Sequence, residues 1–270
     1  MRCLKKCLIA HGPIRRACEF MAKYGVEMTI LKAFAMAGIL VSTVAAADAA
    51  DRPYVVVIDA GHGGHDPGAL STFVPHGQEK AVTLAIALAV RDRLRKKRNV
   101  RVVLTRSSDR FLTLVERRNI GEANRADLFL SIHADSAPDP SAGGASIYTL
   151  REDGRLVVVG RMAASDHARQ ALDLDTVSVL DDLRQRGAMN DSADFATKLA
   201  VDLADVTAMR SQPRLSAHFA VLKAEGVPAV LLETGYVTNE HDAALLFSNA
   251  GREGVANTIA KAIEETAAAR

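Results

Sequence analysis

Three short runs constrain this chain more than anything else in it: Val55-Val56-Val57-Ile58, Leu128-Phe129-Leu130 and Val230-Leu231-Leu232 are apolar without alternation. A strand of that kind is buried on both faces and needs cover on both sides of its sheet. Each run also leads directly into residues that carry chemistry. The first continues through Asp59-Ala60-Gly61 to His62, the second through Ser131-Ile132 to His133, and the third into Glu233. In sheets layered between helices, ligands gather at the carboxyl ends of the strands, so His62, His133 and Glu233 are expected to converge there.

Between the runs the pattern changes period. Residues 79–97 read as a helix with Val82, Ile86, Ala89, Val90 and Leu94 roughly on one face and basic residues at its end. Residues 113–125, 192–205 and 251–268 also read as helices, and Val100–Leu104 and Ile147–Leu150 as further strands. This alternation predicts an α/β chain whose sheet is covered by helices on both faces.

The basic balance of the whole chain is misleading. Up to Asp48 there are seven Lys or Arg against three acids, which leaves 27 basic and 29 acidic residues beyond. The body is therefore nearly neutral, and no nucleic-acid-binding face is expected. All three cysteines (Cys3, Cys7, Cys18) fall in the same leading stretch, so the body offers neither a disulfide nor a thiolate. Residues 33–47 form an uncharged apolar run after Lys32, followed by small residues. That pattern fits residues 1–50 as a cleaved secretory leader, with Met21 or Met28 as a candidate start. The run is short for a membrane span, which takes about 20 apolar residues. A periplasmic or secreted protein with no stable membrane anchor after cleavage is the expectation.

Each candidate residue also has an ordinary explanation. Glycines 61, 63 and 64 flank His62, which suits either a tight turn beside a metal or a plain surface turn. Glu79 opens its helix, where a carboxylate is favoured by the helix dipole for roughly 0.3–1 kcal/mol in any case. A single histidine ending an apolar strand, as His133 does, is usually a satisfied core residue. Two such histidines and an acid raise the metal reading, because imidazole and carboxylate oxygen are zinc ligands. Asp135 and Ser131 are close enough in sequence to be partners of a ligand. Glu233 emerges from a buried strand, where a carboxylate is costly unless used. Its desolvation suits a general base that later acts as an acid. Among the remaining histidines, His65 is a candidate substrate contact.

Together the segments Val57–Ala69, Glu79-Lys80, Val103–Arg106, Ala126–Ala134, Phe219–Leu222 and Pro228–Asn239 resemble the zinc-dependent N-acetylmuramoyl-L-alanine amidases of bacterial cell-wall turnover. The resemblance implies one domain over 51–270 with a mixed, mostly parallel sheet of about six strands. It implies that His62, Glu79 and His133 hold one Zn2+, that Glu233 is catalytic, and that peptidoglycan is the substrate. The bond cut would be the amide between N-acetylmuramic acid and the L-alanine of the stem peptide. Two positions depart from the pattern: Ala60 stands where proline is usual, and Asp135 where asparagine is usual. Division-associated members carry a helical insertion that plugs the site until a periplasmic activator displaces it. Residues 151–190 here, with Val177–Arg186 and Ser192–Ala204 as flanking helices, are the counterpart the resemblance suggests.

Two alternatives stand beside the amidase. A zinc carboxypeptidase would need an arginine for a terminal carboxylate, for which Arg106 and Arg117 are candidates. A non-catalytic wall-binding module would be expected to have lost Glu233 or a metal ligand, and all four residues are present.

Overall fold

A computed structural model describes residues 52–151 and 174–270, with side chains in the second stretch from residue 179. The expected leader over 1–50, and the first part of the expected insertion, lie outside the described residues. Six strands form one sheet in the order β2-β1-β3-β6-β4-β5. They are β1 (Tyr54–Ala60), β2 (Val100–Leu104), β3 (Leu128–Asp135), β4 (Ala145–Leu150), β5 (Met209–Ala217) and β6 (Ala229–Tyr236). All neighbouring pairs are parallel except β4 with β6. Among the described residues five helices accompany them: α1 (Glu79–Leu94), α2 (Leu114–Ala123), α3 (Leu174–Leu203), α4 (Glu240–Phe247) and α5 (Asn249–Ala268). Among the described residues no helix is long and apolar enough to cross a membrane.

The continuous apolar runs are the central strands, as their composition demands. All seven residues of β1 are buried. Successive side chains point to opposite faces, and they divide the core in two. Val56, Ile58, Leu130, Ile132, Val230 and Leu232 pack with Ile86 and Val90 of α1, Phe195 and Leu199 of α3, and Ile259 and Ile263 of α5. Val57, Phe129 and Leu231 face the other way, toward Ile120 of α2 and the 3-10 turn Ala220–Leu222. Helices on both faces are the architecture that the strand-helix alternation predicts, and the mixed, mostly parallel six-strand sheet is the one the resemblance implies.

Three elements differ from the sequence reading. The predicted helix over 192–205 is the second half of one helix that begins at Leu174. Its second half is core, through Phe195, Leu199 and Leu203, whereas Val179, Leu180 and Leu183 in its first half are exposed. The two expected flanking helices, Val177–Arg186 and Ser192–Ala204, are thus one continuous helix, unbroken between them. Strand β5 is not predicted at all. It lies at the sheet's edge, is largely solvent-facing and contains Pro213, and an edge strand is where proline is tolerated. Helix α4 is too short to show periodicity. Its signal is Asn239, whose side chain accepts from the amides of His241 and Asp242 as an N-cap.

Two local features aim the site. The first amides of α1 are taken by the loop before it, Glu79 N by Ala69 O at 2.9 Å and Lys80 N by Pro67 O at 3.1 Å. The Glu79 carboxylate is therefore not spent capping its own helix. The β3–β6 ladder changes register between His133 and Asp135, so it is disturbed beside the strand-end histidine.

Candidate metal centre

His62, Glu79 and His133 meet at the carboxyl ends of β1 and β3. One ligand atom from each lies within 4.8 Å of the other two. The Glu79 carboxylate is the hub: its Oε1 is 3.0 Å from His62 Nε2 and 2.9 Å from His133 Nδ1. The imidazole rings stand nearly perpendicular, 5.0 Å apart. Ligands about 2.0–2.1 Å from a tetrahedral zinc ion lie about 3.3 Å from one another, so this donor set matches zinc in both type and spacing.

Glu79 is 4% exposed, and its remaining lone pairs are taken by backbone. Ala69 N donates to Oε2 at 2.9 Å and Ala134 N to Oε1 at 3.0 Å. Burial alone would raise its pKa, but the hydrogen bonds from His133 and His62 hold it well below the usual carboxylate range. Burial would likewise lower the pKa of His133, yet the Glu79 contact and the nearby Glu233 raise it to about 9. The cluster thus favours positive charge at its centre, which a divalent cation would supply. Two glycines let these side chains lie close against the backbone. A Cβ on Gly61 would overlap the His133 ring, and one on Gly68 would collide with the Glu79 carboxylate and the His62 ring.

Glu233 is the registered partner of His133 on the neighbouring parallel strand, so the two side chains leave the same face of the sheet side by side. One of its carboxylate oxygens is buried without a hydrogen-bond partner. Desolvation raises its pKa to about 7, with the charges of Glu79 and Asp135 adding to the shift and His133 opposing it. A carboxyl near neutrality beside an electrophilic centre can take a proton and return it.

The expected partners of the ligands differ from those observed. Ser131 does not touch a ligand; its hydroxyl donates to Asp59 Oδ2 at 2.7 Å in the core. Asp135 Oδ1 accepts from Ser136 N, and its carboxylate bonds Tyr236, contributing with burial to raise that phenol to about 12. The partner of His62 is instead Asp66, whose Oδ2 lies 2.8 Å from Nδ1. That contact fixes which ring nitrogen faces Glu79, the role an outer carboxylate plays at zinc sites. A carboxylate four residues after a ligand histidine is the only sequence cue to it.

Arg106 and Arg117 are also not where a carboxypeptidase needs them. They are 1% and 3% exposed, and their nitrogens are bonded to backbone carbonyls, to Thr83 and to Asp59. Neither offers a free guanidinium to a substrate. His65 is exposed and stacks on Phe111, with ring centroids 4.2 Å apart.

The family model described as N-acetylmuramoyl-L-alanine amidase matches residues 56–265. The amidase AmiA of Escherichia coli is 36% identical over 218 residues, covering 77% of this chain and 74% of AmiA. AmiC of Neisseria meningitidis is 33% identical over 224 residues, which is 79% of this chain but 52% of that longer protein. Among solved structures, the catalytic domain of CwlV, an amidase from Bacillus (Paenibacillus) polymyxa var. colistinus, superposes with a TM-score of 0.58. It is 31% identical, and the match covers 78% of this chain and 96% of that domain.

The Glu233 environment has a consequence for stability without metal. A carboxyl whose folded pKa is raised favours the fold while protonated, and that contribution is lost as pH climbs from the ordinary glutamate range through about 7. Glu233→Gln, which cannot ionise, is expected to raise the melting temperature of the metal-free protein at pH 8 and to leave it nearly unchanged at pH 4. Equal melting temperatures for the two proteins at pH 8 would contradict the desolvation reading.

Proposed function

The chain belongs to the N-acetylmuramoyl-L-alanine amidase family, and from that premise we propose that it hydrolyses peptidoglycan as a zinc enzyme centred on His62, Glu79 and His133. It is an amidase, as its relatives and structural neighbours are. The observation that carries the zinc reading is the single Glu79 oxygen lying between two imidazole nitrogens, with the unpartnered Glu233 oxygen on the adjacent strand. The bond cleaved is the amide joining the lactyl group of N-acetylmuramic acid to L-alanine, which releases stem peptides.

Bound zinc supplies Lewis-acid polarisation of the scissile carbonyl and of the attacking water. The chain's own residues do the rest. His62 and His133 would present neutral nitrogens once the ion has displaced their protons, with the His62 ring ordered by its Asp66 contact. Glu79 contributes one negative charge and keeps its geometry through the Ala69 and Ala134 amides. Glu233 accepts a proton from the water as its oxygen bonds to the carbonyl carbon. It then delivers that proton to the amide nitrogen, so that the C–N bond breaks and a neutral amine leaves. The partly neutral carboxyl suits both halves of this cycle.

The carboxypeptidase alternative loses its support with the burial of Arg106 and Arg117. The wall-binding module is disfavoured because the acid–base group is retained, in register with His133 on the adjacent strand.

The proposal extends to export and control. Residues 1–50 act as a cleaved leader that delivers the enzyme to the periplasm or the exterior, where it serves wall turnover or daughter-cell separation. Residues 151–190 hold a regulatory insertion that a periplasmic activator relieves. The exposure of Val179, Leu180 and Leu183, against the core packing of Phe195 and Leu199, supports a boundary inside α3 between insertion and domain.

Three outcomes are expected. The purified enzyme contains about one zinc per chain and releases intact stem peptides from purified peptidoglycan, while Glu233→Ala retains the metal and loses at least about 10²–10⁴-fold in turnover. A metal-free active enzyme, or trimmed peptides as product, would defeat the assignment. Mass spectrometry of the secreted form should show no peptide N-terminal to residue 48; a mature protein retaining residues 3–15 would refute cleavage. Deleting residues 160–187 should raise basal activity, and an intact fold with unchanged or lost activity would refute autoinhibition.

A further inference from the structure

The turn that carries His62 is held by two buried arginines as well as by backbone bonds, from Gly61 N to Ile132 O at 3.0 Å and from Gly63 N to Asp66 O at 2.9 Å. Three consecutive carbonyls, those of Ala60, Gly61 and His62, accept from guanidinium groups. Arg106 Nε donates to Ala60 O at 2.9 Å and its Nη2 to Gly61 O at 2.8 Å. Arg117 Nη1 donates to Ala60 O at 2.7 Å and its Nη2 to His62 O at 2.8 Å. His62 itself has a φ of 60°, a left-handed conformation that is uncommon for residues other than glycine. The next peptide along is gripped as well. Gly64 N donates to Asp109 Oδ1 at 2.7 Å, and Lys80 Nζ donates to Gly64 O at 2.7 Å and to Asp109 Oδ2 at 2.8 Å.

We propose that Arg117 and Arg106 are positioning residues that set metal affinity by holding the Ala60–His62 turn, and with it the His62 ring, against Glu79. The inference rests on the zinc reading above but concerns residues that touch neither metal nor substrate. A guanidinium is a rigid planar fork and can join two acceptors at fixed separation, which an ammonium cannot do. Arg117 spans Ala60 O and His62 O, the carbonyls on either side of the peptide that must turn. Asp59 sits 2.7 Å from the same Nη1 and is itself held by Thr105 and Ser131. The fork is therefore anchored to the sheet at one end and to the ligand's backbone at the other.

Electrostatics alone predicts the opposite sign. Arg106 and Arg117 are cations close to a site that must bind a cation, so removing one charge should tighten metal binding. It would also leave Asp59 less neutralised, and that too should favour a cation. A positioning role predicts weaker binding whether the charge is kept or lost. The two accounts are separable by measurement.

The test compares wild type, Arg117→Lys and Arg117→Met, each first shown to unfold cooperatively without metal. Zinc affinity is read by competition with a chromophoric chelator, and geometry by the visible absorption spectrum of the cobalt(II)-substituted protein. Arg117→Lys is expected to bind zinc about 10–100-fold more weakly, the range typical of residues that orient a ligand, with a shifted cobalt spectrum; Arg117→Met should be weakened at least as much. Wild-type affinity and spectrum in a folded Arg117→Lys, or tighter binding in Arg117→Met, would overturn the proposal. Should the arginine variants not fold, Lys80→Met decides: it removes a cation, which electrostatics alone expects to tighten zinc, while it frees the Gly64 carbonyl and Asp109; it is expected to weaken zinc several-fold, with unchanged or tighter binding counting against the clasp. If the wild-type protein itself binds no zinc, the metal reading has failed and not the positioning one.

Discussion

A buried carboxylate at the head of a helix is the constraint on which this site depends. Glu79 sits almost wholly out of water, where an unpaired charge would be prohibitively expensive. It is kept ionised by two imidazoles, one from the turn after β1 and one from β3, and by two backbone amides, one from the loop before α1 and one from β3. Those four partners come from residues 62, 69, 133 and 134, so the charge ties the end of β1, the loop before α1 and the end of β3 to one point. A site assembled in this way cannot form before the parallel sheet does. It also explains why the loop from Pro67 to Ala69 caps α1 with its carbonyls: the helix's first acid is needed elsewhere.

A second set of buried charges supports the first from below. Asp59 and Arg117 pair in the core, with Thr105 and Ser131 completing the carboxylate's hydrogen bonds. Buried ion pairs of this kind are weak evidence for stability, because desolvation offsets much of the attraction. Here the pair links sheet, helix α2 and the histidine turn, which points to geometry rather than stability as its contribution. The capping box between Thr113 and Glu116 fixes where α2 starts and hence where Arg117 enters the core.

Much of the fold can be read from the chain because its central strands are uninterrupted apolar runs and its core helices have one apolar face. Tyr54–Ala60, Val100–Leu104 and the terminal helix follow from pattern alone. Elements with little to bury are the ones that escape notice. Strand β5 is an exposed edge with a proline, and α4 has only two turns. At the site, the residue types at 62, 79, 133 and 233 stand out because metal-capable side chains end buried strands or open a helix after one. Asp66 and the two arginines do not stand out, since a loop aspartate and a pair of arginines are ordinary in any sequence.

What the sequence by itself determines is therefore the set of strands that must be buried and the chemistry waiting at their ends. Both follow from local composition, which hydrophobic burial reads directly. Only the tertiary structure decides which acids and bases become partners. Ser131 faces a core aspartate and not a ligand, Asp66 orders His62, and Arg106 and Arg117 hold backbone and not substrate. Those choices depend on distances of a few ångström between residues up to 72 positions apart. Hydrogen bonds and ion pairs are short-ranged and directional, so they are settled by packing and leave almost no trace in sequence order.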